Sequence, residues 1–208
     1  PTTLGDLPGG TVSSLANGVT SNAEIITGSS SSANGTEAFR WTSASGMVGL
    51  GDIAGGGLSS AGIAISSNGQ FITGGGTVNA GARATRWNAF DELVTLGELP
   101  GGVFGSVGYG VSNDGNIVVG QSTDAEGVKA FRWTTGSGIL ALPGLATGTE
   151  SRAFALSGDG RYSTGYAGVG SFGFFPAPVR WRNGDSVELL SPDQDDGIGY
   201  SISADGNL

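Results

Sequence analysis

The chain has 208 residues, and its 41 Gly would suit a linker, but a hydrophobic fraction of 38% with nine Phe, four Tyr and four Trp argues against disorder. Eighteen acidic and nine basic residues give a net charge of −9, which argues against phosphate-backbone binding, and no apolar run is long enough for a membrane helix. The absence of Cys and His excludes disulfides and thiol nucleophiles, and it removes the usual acid–base residue and the commonest metal ligand.

An internal repeat of about 46 residues runs through the chain. Its marker is an Arg-Trp pair, which recurs at Arg40-Trp41, Arg86-Trp87, Arg132-Trp133 and Arg180-Trp181. We therefore divide the chain into unit 1 (residues 4–49), unit 2 (50–95), unit 3 (96–141) and unit 4 (142–189), with a partial repeat at 190–208. Because the repeat is cut at both ends, we expect the chain to be a piece of a longer protein.

In chain order, the first predicted element is a strand at residues 2–7, which match residues 48–53 and would be the fourth strand of a preceding unit. The first hairpin turn follows at Ser21-Asn22-Ala23, where the other units have Gly in third place. Because Ala reaches a positive φ less readily than Gly, this turn is expected to be the least regular. After the second strand, Gly keeps one register, which indicates a bulge or a close backbone approach, at Gly28, Gly74, Gly120 and Gly165.

Unit 3 shows the strand pattern most clearly. Its predicted strands are Tyr109–Ser112, Ile117–Val119, Ala130–Thr134 and Ile139–Leu142. Asn113-Asp114-Gly115 forms the first hairpin turn, and a polar loop is predicted from Ser122 to Val128. Each unit is therefore predicted to be a four-stranded meander, and no helical pattern is found.

Four short strands repeated about every 46 residues are typical of a β-propeller. The predicted fold is all-β, with four-stranded antiparallel blades, and the nearly continuous apolar second strands suit a sheet buried on both faces. We expect a fragment of a larger ring. A five-bladed ring with one incomplete blade is the alternative, and a solenoid is the less favoured fold.

Three phrases carry a resemblance to a known family: Ala38-Phe39-Arg40-Trp41-Thr42, Gly46–Asp52 and Val111–Gly120. They resemble the HAF-type repeats of bacterial extracellular proteins over essentially the whole chain, although Glu37 or Lys129 replaces the His of the family's His-Ala-Phe phrase. The resemblance implies a secreted or cell-surface bacterial protein, in some members an autotransporter, and it implies no known reaction. Unit 4 departs most, with Phe154 in its first strand and an insertion around residues 171–176.

The Arg-Trp pairs allow two interpretations. The Trp side chains could form a ring of ligand-binding aromatics. Alternatively, each Trp packs between blades while its Arg pairs with an acidic group or a carbonyl of the adjacent blade. Repetition in every unit favours the structural role, because a binding site usually breaks a repeat.

Three further sets of residues are candidates for chemistry. A partial calcium loop, for which a solvated acidic loop is the favoured alternative, comprises Asp193, Asp195 and Asp196. Turn geometry explains the repeated acidic residues better than acid–base catalysis does, at Asp114, Asp159 and Asp205. One aromatic-rich segment outside the repeat either meets a partner or folds back onto its own blade, and it contains Phe172, Phe174 and Phe175.

No set of residues converges on catalysis, so the favoured function is a non-enzymatic binding module that displays recognition loops at one rim. We expect no cofactor and no membrane insertion, and a glycan, protein or surface ligand as partner rather than nucleic acid. A hydrolytic propeller with paired carboxylates and a purely structural passenger or adhesin segment stay open as alternatives.

Overall fold

The computed structural model describes residues 3–102, 105–145, 150–169, 175–191 and 197–206. Within these residues it contains sixteen strands and no helix, so the all-β prediction is confirmed. The first eight strands are β1 (Gly9–Val19), β2 (Ile25–Ser32), β3 (Gly35–Thr42), β4 (Gly46–Gly49), β5 (Leu58–Ile65), β6 (Ile72–Val78), β7 (Gly81–Trp87) and β8 (Leu93–Gly97). The others are β9 (Ser106–Val111), β10 (Ile117–Asp124), β11 (Gly127–Thr134), β12 (Gly138–Ala141), β13 (Ser151–Leu156), β14 (Tyr162–Val169), β15 (Phe175–Arg182) and β16 (Ser186–Leu189).

Each run of four strands forms an antiparallel meander, in which every strand pairs with the next one along the chain. A short parallel bridge, Gly35 to Leu58 and Thr36 to Ser59, joins the first two meanders into one eight-stranded sheet. The other two meanders are separate four-stranded sheets. The described strands do not close into a ring, so the ring itself stays a prediction.

The hydrophobic core lies between units rather than inside them. Three buried clusters each combine side chains from two consecutive units: Ala38 and Leu50 with Ile72 and Trp87, Ala84 and Leu96 with Phe131 and Trp133, and Ala130 and Leu142 with Val179 and Trp181. Because a thin sheet has two faces to bury, stacking one meander on the next removes apolar area from water on both faces.

The predicted polar loop from Ser122 to Val128 is wrong. β10 extends to Asp124 and β11 begins at Gly127, which leaves a turn of only two residues. The polar side chains fit a strand because they find hydrogen-bond partners there. The buried Ser122 hydroxyl accepts a hydrogen bond from the Leu99 amide at 3.0 Å.

The first hairpin turn is as regular as its counterpart in unit 2, against the expectation from its sequence. Ala23 has a φ of 59° in the left-handed region, close to the 74° of Gly69. In both turns a hydroxyl donates to the side-chain oxygen of the Asn two residues later, from Thr20 at 2.7 Å and from Ser66 at 2.8 Å. This side-chain network holds the backbone in the turn despite the Cβ of Ala.

Candidate ligand-binding site

The first strands of neighbouring units lie side by side: β5 contacts β1 and β9, and β9 contacts β13. Hydrogen bonds also link the turns that follow these strands. The Asn113 amide donates to the Gly158 carbonyl, and the Gly158 amide donates to the Ala204 carbonyl, both at 2.9 Å. The first hairpins therefore form a continuous row across the units.

Every first strand carries a β-bulge. The pairing shifts by one residue at Asn17, Ile63, Tyr109 and Phe154. On the partner strand, a Cβ would overlap a first-strand carbonyl oxygen at each of Gly28, Gly74, Gly120 and Gly165. The predicted close approach and the predicted bulge are both confirmed. Because a bulge re-aims the side chain of its extra residue, this position can carry chemistry without disturbing the sheet.

Three aromatic side chains, which we call the aromatic row, share this register of the repeat: Tyr109 and Phe154 at the bulges, and Tyr200 at the corresponding position of the partial repeat. The Tyr109 and Phe154 ring centroids are 5.5 Å apart with an interplanar angle of 48°, and those of Phe154 and Tyr200 are 5.5 Å apart at 28°. Units 1 and 2 have Asn17 and Ile63 at the same position, so the row breaks the repeat. Tyr200 is 70% exposed, which leaves one end of the row open to solvent.

A polar trio, made of Glu150, Arg152 and Tyr166, flanks the aromatic row. The Tyr166 hydroxyl and Arg152 Nη2 both donate to Glu150 Oε1 at 3.0 Å. The Tyr166 and Phe154 ring centroids are 5.9 Å apart, and the Arg152 guanidinium carbon lies 6.0 Å from the Tyr166 centroid. Arg152 Nε is buried and has no hydrogen-bond partner among the described residues. The trio thus places a charged donor and a carboxylate beside an aromatic surface.

Burial raises the pKa of the Tyr109 and Tyr166 hydroxyls. The pKa of Tyr166 reaches about 12, with Arg152 opposing the effect of burial and Glu150 adding to it. Burial also raises the pKa of Tyr109, again against the opposing charge of Arg152. Both hydroxyls are therefore protonated at neutral pH and serve as hydrogen-bond donors rather than as bases.

The surface changes character along the row of first strands. A cavity of about 240 Å³ is lined mainly by small or apolar side chains of unit 2 and the start of unit 3, among them Ala61, Ile63 and Val107. In unit 4 the position of Ala61 is taken by Arg152, and that of Ile63 by Phe154. The side chains of this surface are small or apolar at unit 2, and aromatic and charged side chains take their place at units 3 and 4.

The structure places the repeated Arg side chains at boundaries between units. They donate to the carbonyl of the turn Gly in the next unit in three pairs: Arg40 and Gly69 at 2.8 Å, Arg86 and Gly115, and Arg180 and Gly206 at 3.5 Å. Arg132 lines a cavity of about 230 Å³ together with Asp185. Burial lowers the pKa of Arg132 and Asp185 opposes this.

The repeated Trp side chains lie at the same boundaries. Trp87 Nε1 donates to the Leu50 carbonyl at 2.9 Å, and Trp181 Nε1 donates to the Pro143 carbonyl at 2.8 Å. Trp133 is buried and Trp41 is half-buried. Trp87, Trp133 and Trp181 each belong to a buried cluster that includes side chains of the preceding unit, which leaves little of their surface for a ligand.

Several sequence candidates lie outside the described residues: Phe172, Phe174, Asp193, Asp195 and Asp196. The backbone of Phe175 begins β15, and its side chain is not described. The calcium loop and the partner patch therefore stay predictions. Within the described ranges, no three acidic side chains are grouped closely enough to hold a metal ion.

The carboxyl groups of the hairpin turns are held in their charged form. The Ser112 hydroxyl and the Asn116 amide donate to Asp114 and lower its pKa. Burial raises the pKa of Asp159, but hydrogen bonds from the Arg161 amide and the Ser157 hydroxyl outweigh it, so this pKa is lowered too. A general acid needs the opposite shift, so these groups suit turn geometry rather than acid catalysis.

Sequence reasoning missed the aromatic row and the polar trio. The signal was present, because Asn17, Ile63, Tyr109, Phe154 and Tyr200 share one register of the repeat while their residue type changes. A search for the register that varies most in chemistry, rather than for the one that is kept, would have found this position.

Comparisons with known proteins support the fold. No family model and no curated protein matches the chain. Its structure is similar to TolB from Acinetobacter baumannii, with a TM-score of 0.60 and 15% identity over 86% of this chain and 44% of that one. It is also similar to a putative TolB from Agrobacterium tumefaciens, with a TM-score of 0.57 and 16% identity over 86% of this chain and 61% of that one.

These neighbours are β-propeller proteins, and at such low identity the likeness concerns the fold alone. The chain spans less than two thirds of the length of either neighbour. The resemblance to HAF-type repeats stays a prediction. Among the described residues, no helix has the length and apolar character needed to cross a membrane.

Proposed function

We propose that this chain is a non-enzymatic, propeller-type binding module that holds a neutral glycan against the aromatic row. The observation that carries the proposal is the break in the repeat at one register, where Tyr109, Phe154 and Tyr200 stand in place of the Asn and Ile of units 1 and 2 and lie in one row. An aromatic face beside a few placed polar groups is the usual composition of a small-ligand site. The apolar face of a sugar ring can continue the stack on the exposed ring of Tyr200.

The polar trio and the net charge favour a neutral glycan over other ligands. The Glu150 and Arg152 side chains are both partly exposed, and they offer acceptor oxygens and N–H donors, so the trio can bind sugar hydroxyls. A net charge of −9 disfavours acidic polysaccharides and nucleic acids. The proposal includes a secreted or cell-surface location, which the resemblance to HAF-type repeats implies, and fractionation of cells that express the tagged protein would test it.

The hydrolytic alternative has less support. Glu150 is already engaged by Arg152 and Tyr166, and the pKa values of Asp114 and Asp159 are lowered rather than raised. Glycoside hydrolysis needs one carboxyl group that stays protonated to act as general acid.

The experiment is calorimetric titration of the chain with a panel of neutral oligosaccharides, followed by Tyr200→Ala. Loss of one stacking ring should weaken binding by about 0.5–1.5 kcal/mol, or up to roughly tenfold. Phe90→Ala is the matched control, because Phe90 is 85% exposed in a turn of unit 2 and should leave binding unchanged. Equal losses in both variants, or no binding across the panel, would contradict the proposal, and release of cleaved sugar would favour the hydrolytic alternative.

A further inference from the structure

The outer face of unit 1 exposes apolar side chains that the other units cover. Val12, Leu15 and Val19 of β1 are 92%, 62% and 56% exposed. Ile65 and Val111, which correspond to Val19 in units 2 and 3, are half-buried and buried. Unit 1 therefore presents to solvent a face that is an interface everywhere else in the described chain.

A recurring hydrogen bond defines what covers this face in the other units. A backbone amide in the third strand of one unit donates to a Ser hydroxyl in the first strand of the next, in the pairs Ala38 and Ser60, Ala84 and Ser106, and Ala130 and Ser151, at 2.9–3.0 Å. The Ser60 hydroxyl in turn donates to the Gly51 carbonyl at 2.7 Å. At each of these boundaries the third strand of one unit therefore lies against the first strand of the next and contributes the amide of an Ala to the Ser hydroxyl. We call the place that this third strand occupies the slot.

Unit 1 contains the same slot without an occupant among the described residues. The Ser14 hydroxyl donates to the Gly5 carbonyl at 3.1 Å, as Ser60 does to Gly51. A cavity of about 670 Å³ lies between residues 3–6 and β1. Asp6 lines this cavity, and its Oδ1 is buried with no hydrogen-bond partner in the described part of the chain. The hydroxyl acceptor and the groove are both present.

Ala23 limits the size of the side chain that a unit bound at this face can place next to the first hairpin turn. At the other boundaries the turn Gly packs against a large side chain at, or one residue before, the start of the second strand of the preceding unit, in the pairs Gly69 and Ile25, Gly115 and Phe71, Gly160 and Ile117, and Gly206 and Tyr162. A Cβ on any of these Gly residues would overlap that large side chain. Ala23 already carries a Cβ, so a large side chain at the same place would have to shift away from it.

We propose that the outer face of unit 1 binds a further unit of this repeat, which inserts an Ala-Phe-Arg-Trp type strand into the slot and has a small residue first in its second strand. The strand amide donates to Ser14, the strand Arg donates to the Ala23 carbonyl, and the apolar side chains of β1 are buried. A second copy of this chain fits less well, because each of its four units carries Ile, Phe or Tyr at the position that meets Ala23.

The test adds a copy of residues 96–139 ahead of Thr2, in register with the repeat. The added copy carries either Ile117 or Ile117→Ala, and each version is made with Ala23 and with Ala23→Gly. Hydrogen exchange of the β1 amides should slow in the fused chains. With Ala23, the Ile117→Ala copy should give the higher Tm, by about 2–8 °C, because it avoids the overlap. With Ala23→Gly the order should reverse.

Three outcomes would overturn the proposal. Unchanged exchange of β1 in all four fusions would show that the face does not accept a unit. If the Ile117 and Ile117→Ala copies had the same order of Tm with Ala23 and with Ala23→Gly, Ala23 would not require a small residue in the unit that binds. Protection of β1 that rises with the concentration of the unfused chain, and that Leu15→Asp abolishes, would assign the face to a second copy of this chain.

Discussion

Gly120 stands opposite the bulge that presents Tyr109, and the structure leaves no room there for a side chain. A Cβ at this position would overlap the Val107 carbonyl oxygen and approach the Phe131 ring. We therefore predict that Gly120→Ala destabilises the fold and displaces Tyr109 from the aromatic row.

The magnitude follows from two opposing effects. Replacing Gly by Ala stabilises a protein by about 0.4–1 kcal/mol where the backbone has space, because the unfolded chain loses entropy. Overpacking costs about 1–3 kcal/mol, and here the obstacle includes backbone, which cannot rotate away. The net loss in the free energy of unfolding should be about 1–2 kcal/mol, or about 2–8 °C in Tm for a chain of this size.

Urea unfolding followed by Trp fluorescence measures this change, and Gly136→Ala in the same unit is the control. A methyl group added at Gly136 would meet no atom within 4 Å, and the φ of this residue is not positive, so its replacement should be neutral or stabilising by up to about 1 kcal/mol. If Gly120→Ala were as stable as Gly136→Ala, the close approach at the bulge would not limit this position. If it were unstable but bound glycan with unchanged affinity, the link between bulge and aromatic row would be wrong.

Three further changes have defined outcomes. Ala23→Gly should raise the free energy of unfolding by about 0.5–1 kcal/mol, because it relieves a left-handed Ala, and an unchanged urea midpoint would contradict this. Arg86→Lys should lower the free energy of unfolding by about 1–2 kcal/mol, because the Arg86 guanidinium carbon lies 5.3 Å from the Phe71 ring centroid and 5.2 Å from that of Trp133. Arg161→Lys, at an exposed site, is the control and should have no effect. Folding raises the pKa of Tyr166 from 10.0 to about 12, so its contribution to the free energy of unfolding should be fully present below pH 10 and should be lost as the pH rises towards 12. In Tyr166→Phe, the fall in the free energy of unfolding over this pH range should be smaller by the contribution of that one group.

Most of the fold followed from the period of the sequence. The Arg-Trp pairs set the length of the unit, and turn residues such as Asn113-Asp114-Gly115 marked the strand ends, because these features depend on local geometry. The Gly register predicted the bulge correctly for the same reason. The loop at 122–128 failed because strand formation there depends on partners such as Leu99, which lie far away in sequence.

The candidate site could not be predicted in this way. Glu150, Arg152 and Tyr166 meet only because β13 and β14 pair, and Tyr109 meets Phe154 only because two units stack. The period of the sequence shows what all units share, so it does not reveal a single register at which the units differ. The proposed ligand-binding site lies at that register.

The Ser hydroxyl found at three boundaries has a consequence for how such chains change over evolution. Because the same donor meets the same acceptor at each junction, recombination between two copies of the repeat would join compatible surfaces wherever the following unit has Gly in its first hairpin turn. A chain can therefore gain or lose a whole unit without having to evolve a new interface, whereas the loss of one residue from a third strand would misplace every contact beyond it. We expect natural length variation in proteins of this type to occur in whole units or in the loops between strands, with the third strand constant in length.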